Sequence, residues 1–259
     1  MSSRETCWFI FHDAKLLLRR QGVEARIPRG ASPPLPSSLP RHDLGRCRGA
    51  ACAAYAVLEL PDEEEWLPLN LRAAYAFIGE ELYTLAGKGC QLIHWDKHTR
   101  YCPACGTKTL PATTISKKCP ACGHELFPPL AVAVLALILR GDSALLVRAR
   151  SFRGEHFGLV AGFLEPGETL EECVQREALE ETGLNLRHIR YFGSQPWPYP
   201  SGLMAGFVAE SPEGEIRLQT SELLEGRFFF RDEAPLLPQK FSLARRMIDW
   251  WLEERAWPL

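Results

Sequence analysis

The sequence lacks any long hydrophobic run, and this sets its first limits. The longest, Leu130–Leu139, falls well short of the roughly 20 residues that cross a bilayer as a helix. It sits mid-chain and predicts a buried strand. Residues 1–20 lack the basic-then-apolar layout of a secretion signal. An excess of charge of one sign is also missing. Thirty Lys and Arg against 32 Asp and Glu leave a net charge of -2, so binding to polyanions by bulk charge is not expected. Cysteine is not scarce. There are nine, an odd number, which without a secretion signal argues for reduced thiols and against a disulfide framework. The expectation is a soluble, cytoplasmic chain with no membrane partner.

What is present is enough apolar residue for more than one core: 46% of 259 residues. Three regions separate. Residues 1–97 predict an N-terminal α+β domain. Trp8–Phe11 and Leu16–Leu18 read as a hairpin around Asp13, and Ala31–Pro40 as a Pro/Ser loop. Tyr55–Leu60 reads as a strand. Leu71–Leu85 has helical spacing, with Gly87 as its stop. Residues 98–127 hold two Cys-x-x-Cys pairs and too little apolar residue for a core. Residues 128–259 alternate strands (Ala131–Leu139, Ala144–Val147, Phe157–Phe163, Ala205–Ala209, Phe228–Phe230) with helices over Thr169–Glu181 and Ser242–Arg255. That order predicts an α/β sandwich.

The third region carries a dense run of glutamates. Thr169 and Glu172 have capping-box spacing, so a helix starts there. Leu170, Val174 and Ala178 form its buried stripe. Glu177, Glu180 and Glu181 project from neighbouring helical positions. Like charges at that spacing repel, so a chance acidic face is one reading and a cation site the other. Clustered hard oxygen ligands suit Mg²⁺ or Mn²⁺. Arg176 either orients a carboxylate or the loop, or forms a structural salt bridge.

Ten residues beyond Leu184 lies Ser194-Gln195-Pro196-Trp197-Pro198-Tyr199-Pro200-Ser201. Alternating prolines hold such a segment stiff and extended. Trp197 and Tyr199 present flat rings that can stack on a base or nicotinamide. Gln195 can hydrogen-bond an amide. The competing reading is a surface loop packing its aromatics on the core.

Cys102-x2-Cys105 and Cys119-x2-Cys122, thirteen residues apart, read as a tetrahedral Cys₄ structural Zn²⁺ site. Cys-Pro-Ala-Cys-Gly occurs twice, at 102–106 and 119–123. Lys108, Lys117 and Lys118 add a modest basic patch.

Gly162, Gly167, Glu168, Arg176, Glu177, Glu180, Glu181 and Gly183 match every fixed position of the Nudix box. The chain therefore resembles the Nudix hydrolases, which cleave nucleoside diphosphates linked to another moiety. Residues 194–201 resemble the SQPWPFPxS signature of the NADH pyrophosphatase branch, with Tyr199 in place of Phe. That branch also has a zinc ribbon at this place in the chain. The resemblance implies a Nudix α/β/α sandwich in which Glu177, Glu181, Glu222 and the carbonyl of Ala161 hold Mg²⁺ or Mn²⁺. Glu180 and Arg176 complete the catalytic set. It implies substrate contacts at Arg72, Phe127, Gln195–Ser201 and Ala244. It implies hydrolysis of NADH or NAD⁺ to nicotinamide mononucleotide and AMP, removal of NAD caps from RNA 5′ ends, and a homodimer. A Nudix hydrolase of another substrate such as ADP-ribose, or a non-catalytic zinc-ribbon regulator, are the rival expectations.

Overall fold

In the computed structural model, residues 5–62, 64–152 and 154–253 are described. The chain divides into two units, Met1–Leu130 with Trp197–Ser201, and Ala131–Pro196 with Gly202–Leu259.

In the first unit, β1 (Thr6–His12) and β2 (Lys15–Gln21) form the expected hairpin. Asp13 and Ala14 both adopt positive φ (45° and 61°), the backbone that matches a two-residue turn to the twist of its strands. Strands β3 (Glu24–Arg26), β4 (Arg29–Gly30), β5 (His42–Cys47), β6 (Ala50–Ala56) and β7 (Trp66–Leu69) complete a seven-stranded sheet. β6 pairs parallel to β1 and ends at Ala56, earlier than the sequence reading of a strand over Tyr55–Leu60.

Helix α1 runs from Leu71 to His98, capped at Asn70 and interrupted at Gly79, which has non-helical φ 71° and ψ 176°. The helix therefore does not stop at Gly87 as expected. Gly87 is helical and buried, and a Cβ there would lie 3.1 Å from Pro198 Cγ. The glycine permits a close approach instead of ending the helix. Beyond it, β8 (Leu110–Thr113), β9 (Ser116–Lys118) and β10 (Glu125–Leu126) form a small three-stranded sheet.

The second unit is an α/β/α sandwich. Its sheet has the order β14-β15-β11-β12-β16. These strands are β11 (Ala131–Arg140), β12 (Ser143–Ala149), β13 (Val160–Phe163, paired with β11), β14 (Arg187–Trp197), β15 (Gly202–Glu210) and β16 (Leu223–Phe229). The two-residue period of β11 builds both cores. Val134, Ala136 and Ile138 pack with Cys173, Val174 and Ala178 of α2 (Leu170–Thr182). Leu135 and Leu137 pack with Leu243, Met247, Ile248 and Trp251 of α3 (Leu243–Leu252). β14 was read only as an extended segment from Ser194, because Arg187–Tyr191 carries little apolar alternation. The last residues of the helix expected over Ser242–Arg255 lie outside the described residues. No helix among the described residues is long and apolar enough to cross a membrane.

Candidate active site

The glutamate helix begins as the sequence dictates. Thr169 accepts from Glu172 N and Glu172 returns a bond to Thr169 N, forming the full capping box. At the far end Gly183 adopts the left-handed conformation (φ 74°) that closes helices. Between these ends the three box glutamates do not share one environment, contrary to expectation. Glu177 and Glu181 turn inward, at 9% and 4% exposure, while Glu180 stays at the exposed edge. Val174 and Ala178 fix α2 in the core, and Glu177 lies against Gly162 of β13.

Gly162 on β13 makes room for this. A Cβ there would fall 1.8 Å from Glu177 Cδ, so no side chain fits beside the carboxylate. Arg176 then holds the carboxylate in place. It donates from Nη1 to Glu177 Oε1 (2.8 Å) and Glu180 Oε2 (3.1 Å), and from Nη2 to Phe163 O (2.9 Å) and Glu168 Oε2 (3.0 Å). Its own anchor is Glu168, which also accepts from Glu165 N (3.0 Å). Hydrogen bonds from Arg176 pull the Glu168 carboxyl down to about 2. These contacts fit the reading in which Arg176 orients a carboxylate and the loop. Its five N–H groups are aimed at the loop and the glutamates. Glu168, quoted only as a fixed box position, is the residue that sequence reasoning gave no task.

A cleft of about 250 Å³ opens beside Glu181. Ala149, Arg150, Ser151, Phe152, Leu159, Ala161, Glu181 and Ser221–Leu223 line it. The expected residues Ala161, Glu181 and Glu222 therefore all line one cleft, although 61 positions separate the first from the last. Glu222 arrives by two devices. Gln219 N bonds Glu181 O (2.9 Å), tying the incoming turn to the end of α2. The extra residue Leu224 then forms a bulge where β16 pairs with β12. Such bulges re-aim side chains next to functional sites. Burial, then the charges of Glu177, Glu222 and Glu180, push the Glu181 carboxyl up to about 8. Burial also raises Glu177, against the opposing pull of Arg176. Buried, mutually repelling carboxylates with an open cleft before them form a site that a hard divalent cation would complete.

The proline–aromatic segment divides. Gln195 donates from Nε2 to Phe241 O (2.8 Å) and accepts at Oε1 from Leu243 N (2.7 Å), so its amide ties β14 to the start of α3. The amide expected to meet a ligand is thus engaged within the fold at both ends. Ala244 packs on the α3 side of the core and does not line the cleft. Trp197–Ser201 belongs to the first unit. There Arg72 lies over both rings, 5.2 Å from the Trp197 centroid and 4.6 Å from that of Tyr199. Tyr199 shares a 2.7 Å hydrogen bond with Tyr83, and Ser201 donates to Pro129 O (2.7 Å). Pro196 and Pro200 are exposed, Pro198 is buried, and Phe127 is exposed.

The four ribbon thiols meet as expected. Sγ–Sγ separations include 3.4 Å (Cys105–Cys119), 3.6 Å (Cys102–Cys122) and 3.6 Å (Cys105–Cys122), and all four Sγ lie within 4.8 Å of one another. Tetrahedral zinc with Zn–S near 2.3 Å would set them about 3.8 Å apart, so the donor set fits. The Cys-Pro-Ala-Cys-Gly echo explains the geometry. Gly106 N bonds Cys102 O (2.8 Å) and Gly123 N bonds Cys119 O (3.0 Å), making two equivalent turns. Lys117 is no part of a basic patch. It is buried, ion-paired to Asp96 (2.6 Å) and bonded to Asp96 O (2.9 Å).

Comparison with known proteins follows the same divisions. Residues 129–251 match the NUDIX domain model, residues 5–95 the NADH pyrophosphatase-like rudimentary NUDIX domain, and residues 97–127 the NADH pyrophosphatase zinc ribbon domain. The chain is 40% identical over 169 residues to a protein of Escherichia coli O157:H7 named NAD-capped RNA hydrolase NudC. The same-named protein of E. coli O1:K1 matches equally. The aligned stretch is 65% of this chain and 66% of the length of those relatives. Among solved structures, a NUDIX hydrolase from Nitrosomonas europaea matches at TM-score 0.50 and 25% identity, over 60% of this chain and 92% of that one. The box helix, the sandwich that holds it and the cysteine ribbon before it thus each find their counterpart, and the chain belongs to the Nudix hydrolase family, in its NADH pyrophosphatase branch.

Proposed function

We propose that this protein hydrolyses the pyrophosphate bond of NADH or NAD⁺, giving nicotinamide mononucleotide and AMP, and removes NAD caps from RNA 5′ ends by the same cleavage. The observation that carries the reading is the meeting of Ala161, Glu181 and Glu222 in one cleft, with Glu177 coupled to both carboxylates. The branch and the name of the E. coli relatives support the dinucleotide. The carbonyl of Ala161 and the carboxylates of Glu177, Glu181 and Glu222 would hold Mg²⁺ or Mn²⁺. Bound there, the ion supplies charge neutralisation of the phosphates and a more acidic water. Glu168 and Arg176 keep Glu177 aligned, with Glu180 at the edge of the same network. Trp197 and Tyr199, with Arg72 above them, offer flat surfaces to the rings of the substrate. Phe127, Pro196, Pro198, Pro200, Ser201 and Ala244 remain candidate contacts by resemblance.

We divide the chain into an N-terminal domain (1–97), a structural Zn²⁺ ribbon (98–127) and a catalytic domain (128–259). Branch resemblance supports a homodimer, and a monomer by light scattering would remove that part. It also supports a cytoplasmic enzyme, as do the free thiols. The decisive assay is NADH cleavage with Mg²⁺ or Mn²⁺. Wild type should release AMP, and Glu181→Gln should lower the rate at least hundredfold, within the range seen when a site loses its main electrostatic group. A wild type that leaves NADH intact overturns the reading.

A further inference from the structure

The lining of the cleft includes residues to which the box and the aromatic segment give no role. Beside Ala161, Glu181 and Glu222 it holds Arg150, Ser151 and Phe152, from the loop after β12, and Ser221. Among the described residues Arg150 is the one cation on this lining. Its backbone is fixed by Arg150 N bonding Glu222 O (2.8 Å), and its side chain by Nε donating to Thr220 O (2.7 Å). That leaves the two Nη groups of an exposed guanidinium. Among the described residues no carboxylate lies within ion-pair distance of it, although Glu222 is two residues from its Thr220 anchor. An arginine held by its Nε beside clustered carboxylates, yet paired to none, presents the planar fork that suits phosphate oxygens. Beside it the Phe152 ring stacks on His156 (centroids 4.7 Å, planes 10° apart), a stiff apolar face next to a charged floor. Ser151 and Ser221 contribute hydroxyls.

We infer that Arg150 binds a phosphate of the substrate on the lining of the same cleft, so that the diphosphate is held by the cation site and this guanidinium together. The inference rests on the cleft being the diphosphate site. It needs no particular nucleoside, and its test does not depend on turnover. Inorganic pyrophosphate is titrated calorimetrically into the full chain loaded with Mg²⁺, and Mg²⁺ affinity is measured separately. Charge-assisted hydrogen bonds of this kind are worth enough that Arg150→Ala should weaken pyrophosphate roughly tenfold to hundredfold. Mg²⁺ affinity and melting temperature should stay within about twofold and about 2 °C, since surface changes elsewhere cost little. Arg150→Lys should recover part of the loss, keeping charge but not the fork.

Equal pyrophosphate affinity in wild type and Arg150→Ala overturns the inference. So does failure of wild type to bind pyrophosphate. A parallel loss of Mg²⁺ affinity overturns it too, because Arg150 would then act only by holding the 220–222 turn. NADH cleavage by wild type is scored independently. If pyrophosphate binding depends on Arg150 while NADH stays intact, the assigned reaction fails and the phosphate contact stands.

Discussion

The cysteine ribbon and the carboxylate cleft are both candidate cation sites, built in opposite ways. The ribbon takes its four ligands from 21 consecutive residues and makes them with one pentapeptide used twice. Each Cys-Pro-Ala-Cys-Gly forms a turn by local hydrogen bonds, so little besides the ion has to bring the halves together. The proposed cleft site would take the carbonyl of Ala161 from β13, Glu177 and Glu181 from α2, and Glu222 from the turn after Ser221. None of these is positioned without the sandwich. Among the described residues the ribbon cluster consists of four thiols. The cleft is open and carries Arg150 on its lining. A closed soft-ligand site suits structural zinc, and an open hard-ligand site suits a cation that must also meet a substrate.

The comparison can be broken first at the ribbon. Cys119→Ser, or treatment with a strong chelator, should abolish zinc content and unfold residues 98–127. Structural zinc contributes on the order of 10 kcal/mol to folding of such small modules. Metal analysis with amide-resolved NMR checks this. Persistence of the ribbon resonances without zinc would put the two sites on the same footing.

Next in size is Gly162→Ala. The added methyl would overlap Glu177 Cδ, so the carboxylate must leave its place. Overpacking typically costs about 1–3 kcal/mol. Activity and Mg²⁺ affinity should fall together while zinc content is unchanged, and denaturant melts with metal titrations would read both. Unaltered Mg²⁺ affinity would show that Glu177 is not held where the site needs it.

The third effect is one of pH in the metal-free protein. Glu181 titrates near 8 in the fold against an ordinary value of 4.5. A carboxyl raised by folding favours the native state most when protonated. Its contribution is therefore full below pH 4.5 and is lost as pH rises towards 8. The slope is at most about 1.4 kcal/mol per pH unit. Glu181→Gln should lack that slope, melt higher than wild type near pH 8 without metal, and gain less from Mg²⁺. Parallel pH–stability curves for the two proteins would mean the carboxylates do not form one strained cluster.

Legibility in the sequence followed the range of the interactions involved. The box helix was readable from Thr169 to Glu181 because capping and four-residue spacing are local. The ribbon was readable because its repeat is local. The hairpin at Asp13 and the strands over Ala131–Leu139 and Ala144–Val147 were readable as short apolar runs. The errors fell where a distant neighbour decides. Gly87 resembles a helix stop until Pro198 is found beside it. Lys117 resembles a surface charge until Asp96 is found under it. Gln195 resembles a ligand donor until the start of α3 takes both ends of its amide. Glu180 resembles Glu177 until the side of α2 facing β13 is known.

The sequence by itself determined the family box, the four zinc ligands, the two helices of the sandwich and the order of its main strands. All of these are set by short, fixed spacings along the chain. Only the tertiary structure decided that Glu177 and Glu181 are buried while Glu180 is not. Only it committed Arg176 to Glu168, and only it brought Arg150 and Glu222 onto one cleft lining. Those outcomes depend on which strands neighbour which helix and where a bulge re-aims the chain, and contacts between separate elements leave no periodic trace in the residues that take part.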